Sequence, residues 1–292
     1  LDRWAIQEFL FLCECEEFLL NELKRERIRF SFKKQGIFFK GHGKQAAAAL
    51  REHLDYAFNE IPLNIYRDFT KIGCHVFRRK LDSSTISGLC VRHPVAGPCL
   101  LINYSEDIYR QRFSAAHEVA HAILDGEEDF VVSFKRWDKK DLSEIRANTF
   151  ASHFLLPPDF LKTIPISNQW SPEKIAEWAN RLKVNVEPLI FALAKNDIIS
   201  KIEKKSLLAN LQRIKPDDKE DPEIPTDLSP NSKERIITLL QKGLTTRYIN
   251  LCFEAYEKEI ITVGRLKEML LATDEELEEI TSMFNKRLAY EH

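Results

Sequence analysis

The pattern of apolar residues predicts an α+β fold, and three observations carry it. Two helical runs come first, three short apolar segments of strand character follow, and a long apolar helix comes next, after which the chain reads as mostly helical. The 44% apolar and 30% charged content of 292 residues is that of a globular chain with a substantial core.

Taken in order, WAIQEFLFLCECEEFLLNELKRE has helical spacing, and RIRFSF, KKQG and IFFKG read as strand, turn and strand. QAAAALREHLDYAF is a helix, and PLNIYRDFTKIG a second one opened by Pro62 and closed by Gly73. CHVFRRKL, SGLCVRHP and CLLINY are the strand segments, and DFVVSF is one more after the long helix. DLSEIRANTFASHFLL is a helix stopped by Pro157 and Pro158, and SPEKIAEWANRLKVNVEPLIFALAKNDII is a helix pair. The proline- and acid-rich stretch IKPDDKEDPEIPTDLSPNS predicts an interdomain linker, beyond which 233–292 is helical, its last helix capped by Thr273. The expected organisation is a helix and hairpin over 1–45, a core over 46–212, a linker over 213–232 and a helical C-terminal domain over 233–292.

With 43 basic and 45 acidic residues, the chain has no overall bias toward nucleic acid. Six cysteines without regular spacing, and no apolar run of spanning length, predict a reduced, cytoplasmic protein with no membrane partner.

The chemistry is concentrated in FSAAHEVAHAILDG. Residues four apart on a helix differ by about 40° in projection, so His117 and His121 point the same way and can share one metal ion. Glu118, one step round from His117, is placed to act on water as a general base without ligating. The competing reading is a surface helix with two histidines. Phe113, Ala116, Val119, Ala120, Ile123 and Leu124 argue against it, because they bury the helix and unpaired buried imidazoles are costly.

A catalytic zinc site takes three protein ligands and leaves a fourth position for water. An extended motif would need a glycine at Leu124 and a ligand at Glu127, and that glycine is missing. Glu144, on the helix ending at the double proline, is the better third ligand. Its competing role is a capping box with Asp141 at the N-cap. His153 lies nine residues from Glu144, about 180° round the helix, and cannot serve the same ion.

SGLCVRHP and CLLIN, then RQRFSAAHEVAHAIL, then EIRANTFASHFLLPP, in that order and spacing, resemble the ImmA/IrrE family of zinc metallopeptidases over roughly residues 46 to 200. The resemblance implies a gluzincin-like core with a small mixed sheet, zinc held by His117, His121 and Glu144, manganese as a substitute in vitro, and Glu118 as the catalytic base. It further implies site-specific cleavage of a partner helix-turn-helix (XRE-like) repressor, derepressing a stress, DNA-damage or phage-defence operon, with single-stranded DNA as a candidate activator. Ser114 and Ala116 replace the family's usual threonine and leucine, and LLPP its LLMP; neither change touches a ligand.

Cys90 and Cys99 flank CVRHPVAGPC, and a thiolate from either would close the open zinc position as an inhibitory ligand, giving a regulatory module that binds a repressor without cutting it. The plainer reading of both is a buried strand cysteine. Tyr104, Tyr109 and Arg112 stand near the motif as candidates for the oxyanion, each more often structural. The helix pair before residue 200 offers only Lys195 as a basic residue on its second helix, which argues against duplex readout.

Overall fold

Side-chain alternation along the strands decides the layering. In the computed structural model, which describes residues 2–33, 39–82, 85–125, 130–134, 142–165, 170–211 and 219–288, β1 (His75–Arg79), β2 (Ile86–His93), β3 (Gly97–Asn103) and β4 (Phe130–Phe134) form one mixed sheet in the order β1-β3-β2-β4. The β1–β3 pair is parallel, and β2 is antiparallel to both β3 and β4. Val76, Cys90, Leu100 and Ile102 enter one buried cluster, while Phe77, Leu89, Val91, Cys99 and Leu101 enter the other. A period of two thus gives the sheet two apolar faces, and each must be covered.

Helices α2 (Phe39–His53), α3 (Ile65–Lys71), α4 (Ile108–Leu124) and α5 (Leu142–Leu155) cover the first face. Behind them lie α6 (Pro158–Leu161), α7 (Pro172–Leu182), α8 (Val186–Lys195) and α9 (Lys201–Ala209). In α2, a Cβ on Gly43 would stand 2.5 Å from the Arg146 carbonyl oxygen, so its lack of a side chain lets α2 approach the backbone of α5. The opposite face is covered by α1 (Asp2–Glu22), α10 (Pro230–Gln241), α11 (Thr246–Glu257), α12 (Val263–Met269) and α13 (Asp274–Met283).

Two local expectations change. RIRFSF does not pair as a hairpin: residues 25–33 run without regular structure, with Phe30 donating to the Ile72 carbonyl at 3.4 Å, and Phe39 already opens α2. The turn at 34–38 lies outside the described residues. Pro62 precedes its helix instead of opening it; Asn64 is the cap, accepting from the Arg67 N–H at 3.0 Å. Among the described residues, α10 to α13 share one buried cluster with α1 and the sheet. The described part of the acidic stretch is held against β1. Asp221 meets the buried Arg78 guanidinium at 2.8 Å and Glu223 meets it at 2.6 Å.

His75 ties α1 to the sheet. Its ring nitrogens stand 2.6 Å from a Glu16 oxygen and 3.1 Å from a Glu17 oxygen, and those carboxylates also pair with Arg247 and Arg27. Both nitrogens donate only in the imidazolium form. Burial opposes that charge, yet hydrogen bonds and charge from Glu16, followed by Glu17, outweigh it and raise the His75 pKa. A raised folded-state value means the contribution is complete below the unfolded histidine pKa of about 6.5 and is lost as pH rises through the folded value. Denaturant unfolding across pH should therefore show an alkaline loss of stability that disappears in His75→Gln.

Candidate metal centre

Asp107 caps α4, its carboxylate accepting from the N–H groups of Tyr109 at 3.0 Å and Arg110 at 3.2 Å. From this start, Phe113, His117 and His121 follow one another at four-residue spacing along one helical stripe. Asp125, at the end of α4, pairs with Arg146 in the first half of α5, whereas Phe113 and Leu155 line one cavity. The two helices are therefore antiparallel, and the stripe of α4 faces the stripe of α5 that begins at Glu144.

The three groups converge. The Nε2 atoms of His117 and His121 are 3.0 Å apart, and each is 3.3 Å from a Glu144 oxygen. One ligand atom from each lies within 4.8 Å of the others. Tetrahedral donors about 2.0–2.1 Å from a zinc ion stand roughly 3.3 Å apart, so the spacing fits that ion. The protonation states fit as well. Burial holds His117 down at about 4, which leaves its imidazole neutral and able to donate a lone pair. For Glu144 burial pushes upward, but the hydrogen bonds to His117 and His121 prevail and hold its carboxyl at about 2.

Glu118 points to the sheet. It is fully buried, and a Cβ on Gly88 of β2 would lie 2.7 Å from its Oε1 and 2.9 Å from its Cγ. The bare backbone of β2 thus makes room for this carboxylate, a role invisible in a glycine read alone. Sequence reasoning also missed Asp125, whose Oδ2 is 2.7 Å from His121 Nδ1, and Arg146, which pairs with Asp125. The signal was present, since a carboxylate four residues after a ligating histidine is placed to take its other N–H. Asp125→Asn should weaken zinc about 10- to 100-fold in competition with a chromophoric chelator.

The cysteines divide. Cys99 is corrected as an inhibitory ligand: it faces away from α4 into the cluster under α1, its thiol directed to the Gly97 carbonyl at 3.4 Å. Cys90 is on the α4 side, but it is not in the ligand cluster. Burial, followed by the charge of Glu118, raises its thiol well above the ordinary value, which opposes thiolate formation. Arg112 donates to the carbonyls of Leu63, Pro62 and Lys183, Tyr104 to Asp221, and Tyr109 to Asn180, so all three serve packing. His153 is half-buried and outside the cluster. Asp141 and Glu127 lie outside the described residues.

Among the described residues no helix is long and apolar enough to cross a membrane. Residues 69–193, from α3 to α8, match the family model described as Peptidase_M78, IrrE N-terminal-like domain. No curated protein matches the chain.

Proposed function

We propose, from the premise that residues 69–193 belong to the IrrE N-terminal-like peptidase family, that the chain is a zinc-dependent endopeptidase acting on one partner protein, a helix-turn-helix repressor. The observation that carries the zinc reading is the meeting of His117, His121 and Glu144 within 4.8 Å, with Glu118 buried on the adjoining face of the same helix. The repressor is inferred from the family resemblance of the motifs, and so are release of a stress, DNA-damage or phage-defence operon, activation by single-stranded DNA and a cytoplasmic location.

Zinc, when held by His117, His121 and Glu144, supplies Lewis acidity toward the scissile carbonyl and toward water. The remaining work falls to the chain. Glu118 takes a proton from the attacking water and delivers it to the leaving amine, and its burial keeps competing solvent away from that carboxylate. Asp125 holds the His121 ring by its Nδ1–H, and Arg146 holds Asp125. A module that binds its repressor with the site closed by a cysteine loses its basis at Cys99, which faces the other way.

The test is to incubate the protein with the repressor encoded beside it, with zinc or manganese, and with or without single-stranded DNA. A discrete repressor fragment is expected. A stable complex in which the repressor stays intact while zinc remains bound would overturn the endopeptidase reading in favour of a binder.

A further inference from the structure

A cavity of about 360 Å³ opens between α4, α5 and the turn joining α7 to α8. Phe113, Leu155, Leu156, Val184 and Pro188 give it apolar walls, while Tyr109, Arg110, Asn185 and Glu187 add polar groups beside Ser152 of α5. Its volume falls at the small end of the range for ligand pockets, which are mostly apolar with a few polar groups.

The position of this cavity identifies its occupant. The helices that wall it are those carrying the three donors. Phe113 precedes His117 by one turn, with ring centroids 6.5 Å apart. On α5, Leu155 follows Glu144 by eleven residues, which returns it to the same helical face within about 20°. Since α4 and α5 are antiparallel, both displacements point the same way, toward the start of α4. The cavity is therefore a continuation of the interhelical groove that holds the donors. Along α4 it is centred roughly 12 Å from them, at about 1.5 Å per helical residue. An extended peptide covers that distance in about three or four residues, and reaches the nearer Phe113 wall in about two.

We infer that this cavity is a specificity subsite: it takes one large apolar side chain of the substrate, leucine, methionine or phenylalanine, at a fixed position two to four residues from the scissile bond. The inference rests on the endopeptidase reading above and adds to it the class of segment that is cut. A small residue at that position would leave the apolar walls unfilled.

Two measurements test the subsite. The first is a randomised peptide library digested by the zinc-loaded protein, with the new termini sequenced. Large apolar residues should be enriched about tenfold at one position two to four residues from the cut. Ser152→Trp, which fills the cavity, should abolish that enrichment and leave preferences at other positions in place. The second needs no catalysis: N-acetyl-leucinamide is titrated into methyl-labelled wild-type protein and followed by NMR. Methyl signals of Leu155, Leu156 and Val184 should move, those of Leu89 and Val91 on the far sheet face should not, and Ser152→Trp should abolish the movement. Methyl shifts with the partner repressor left intact would sink the peptidase reading while upholding the cavity as an apolar side-chain site. Silent methyls in the wild type, or cleavage with the same preference before and after Ser152→Trp, would overturn the subsite.

Discussion

On the proposed peptidase reading, Glu118→Gln is expected to lower single-turnover cleavage of the proposed repressor substrate by about 10²- to 10⁴-fold, the usual worth of a positioned general base, with zinc content unchanged. The side chain is isosteric, and Glu118 is not among the three donors, so the donor cluster should persist. The geometry of β2 sharpens this expectation. Glu118 is packed against the backbone at Gly88, which leaves the glutamine little freedom to relocate and recruit another proton acceptor. Metal analysis of the purified variant beside the cleavage assay separates the two effects. Near-wild-type cleavage with full zinc would remove Glu118 from the chemistry.

Arg78→Met should destabilise the protein by about 3–5 kcal/mol, the cost of removing one partner from a buried ion cluster. The Arg78 guanidinium is 1% exposed and donates to Asp221 and Glu223 at 2.8 Å and to Gln111 at 3.1 Å. It also lies over the rings of Tyr66 and Tyr104, 4.4 and 5.0 Å from their centroids. Methionine keeps much of the volume but leaves two carboxylates facing a site that no longer compensates them. Burial already raises the Glu223 carboxyl, with the charge of Arg78 opposing it, so losing Arg78 raises it further. The sign of the pH dependence follows. In the variant, the folded-state Glu223 carboxyl titrates above its unfolded value, so part of the lost stability should return as pH falls toward the carboxylate range. Urea unfolding at several pH values, with limited proteolysis near residue 221 as a local readout, checks both. A variant as stable as wild type at neutral pH would mean that the acidic stretch is only lightly docked.

Much of the layout follows from local chemistry in the sequence. Short apolar runs such as CLLIN, buried on both faces, select strands, and four-residue spacing puts His117 and His121 on one helical stripe whatever surrounds them. Glu144 was accessible as a candidate because its helix is clearly delimited by Pro157 and Pro158. Its convergence with the histidines depends on antiparallel packing of α4 and α5, which neither helix encodes alone.

The facing of Cys90 and Cys99 was decided by strand register. Val91 stands opposite Cys99 and Cys90 opposite Leu100, so cross-strand neighbours put the two thiols on opposite faces of the sheet. A shift of one residue in the β2–β3 turn would have reversed the face of one of them, and no residue type in CVRHPVAGPC states that register. The docking of the acidic stretch escapes a local reading for a related reason. Proline and carboxylates favour an exposed linker by composition, but composition does not register an arginine 143 residues away whose buried guanidinium draws Asp221 inward. Beyond the RIRFSF and IFFKG segments, the sequence by itself determined element types, the helical stripe and the donor chemistry, because these depend on neighbours a few residues apart. Only the tertiary structure decided which face each strand residue took, where the acidic stretch docked and how α1 and the C-terminal helices joined one layer, because burial and long-range charge pairing exist only once distant segments meet.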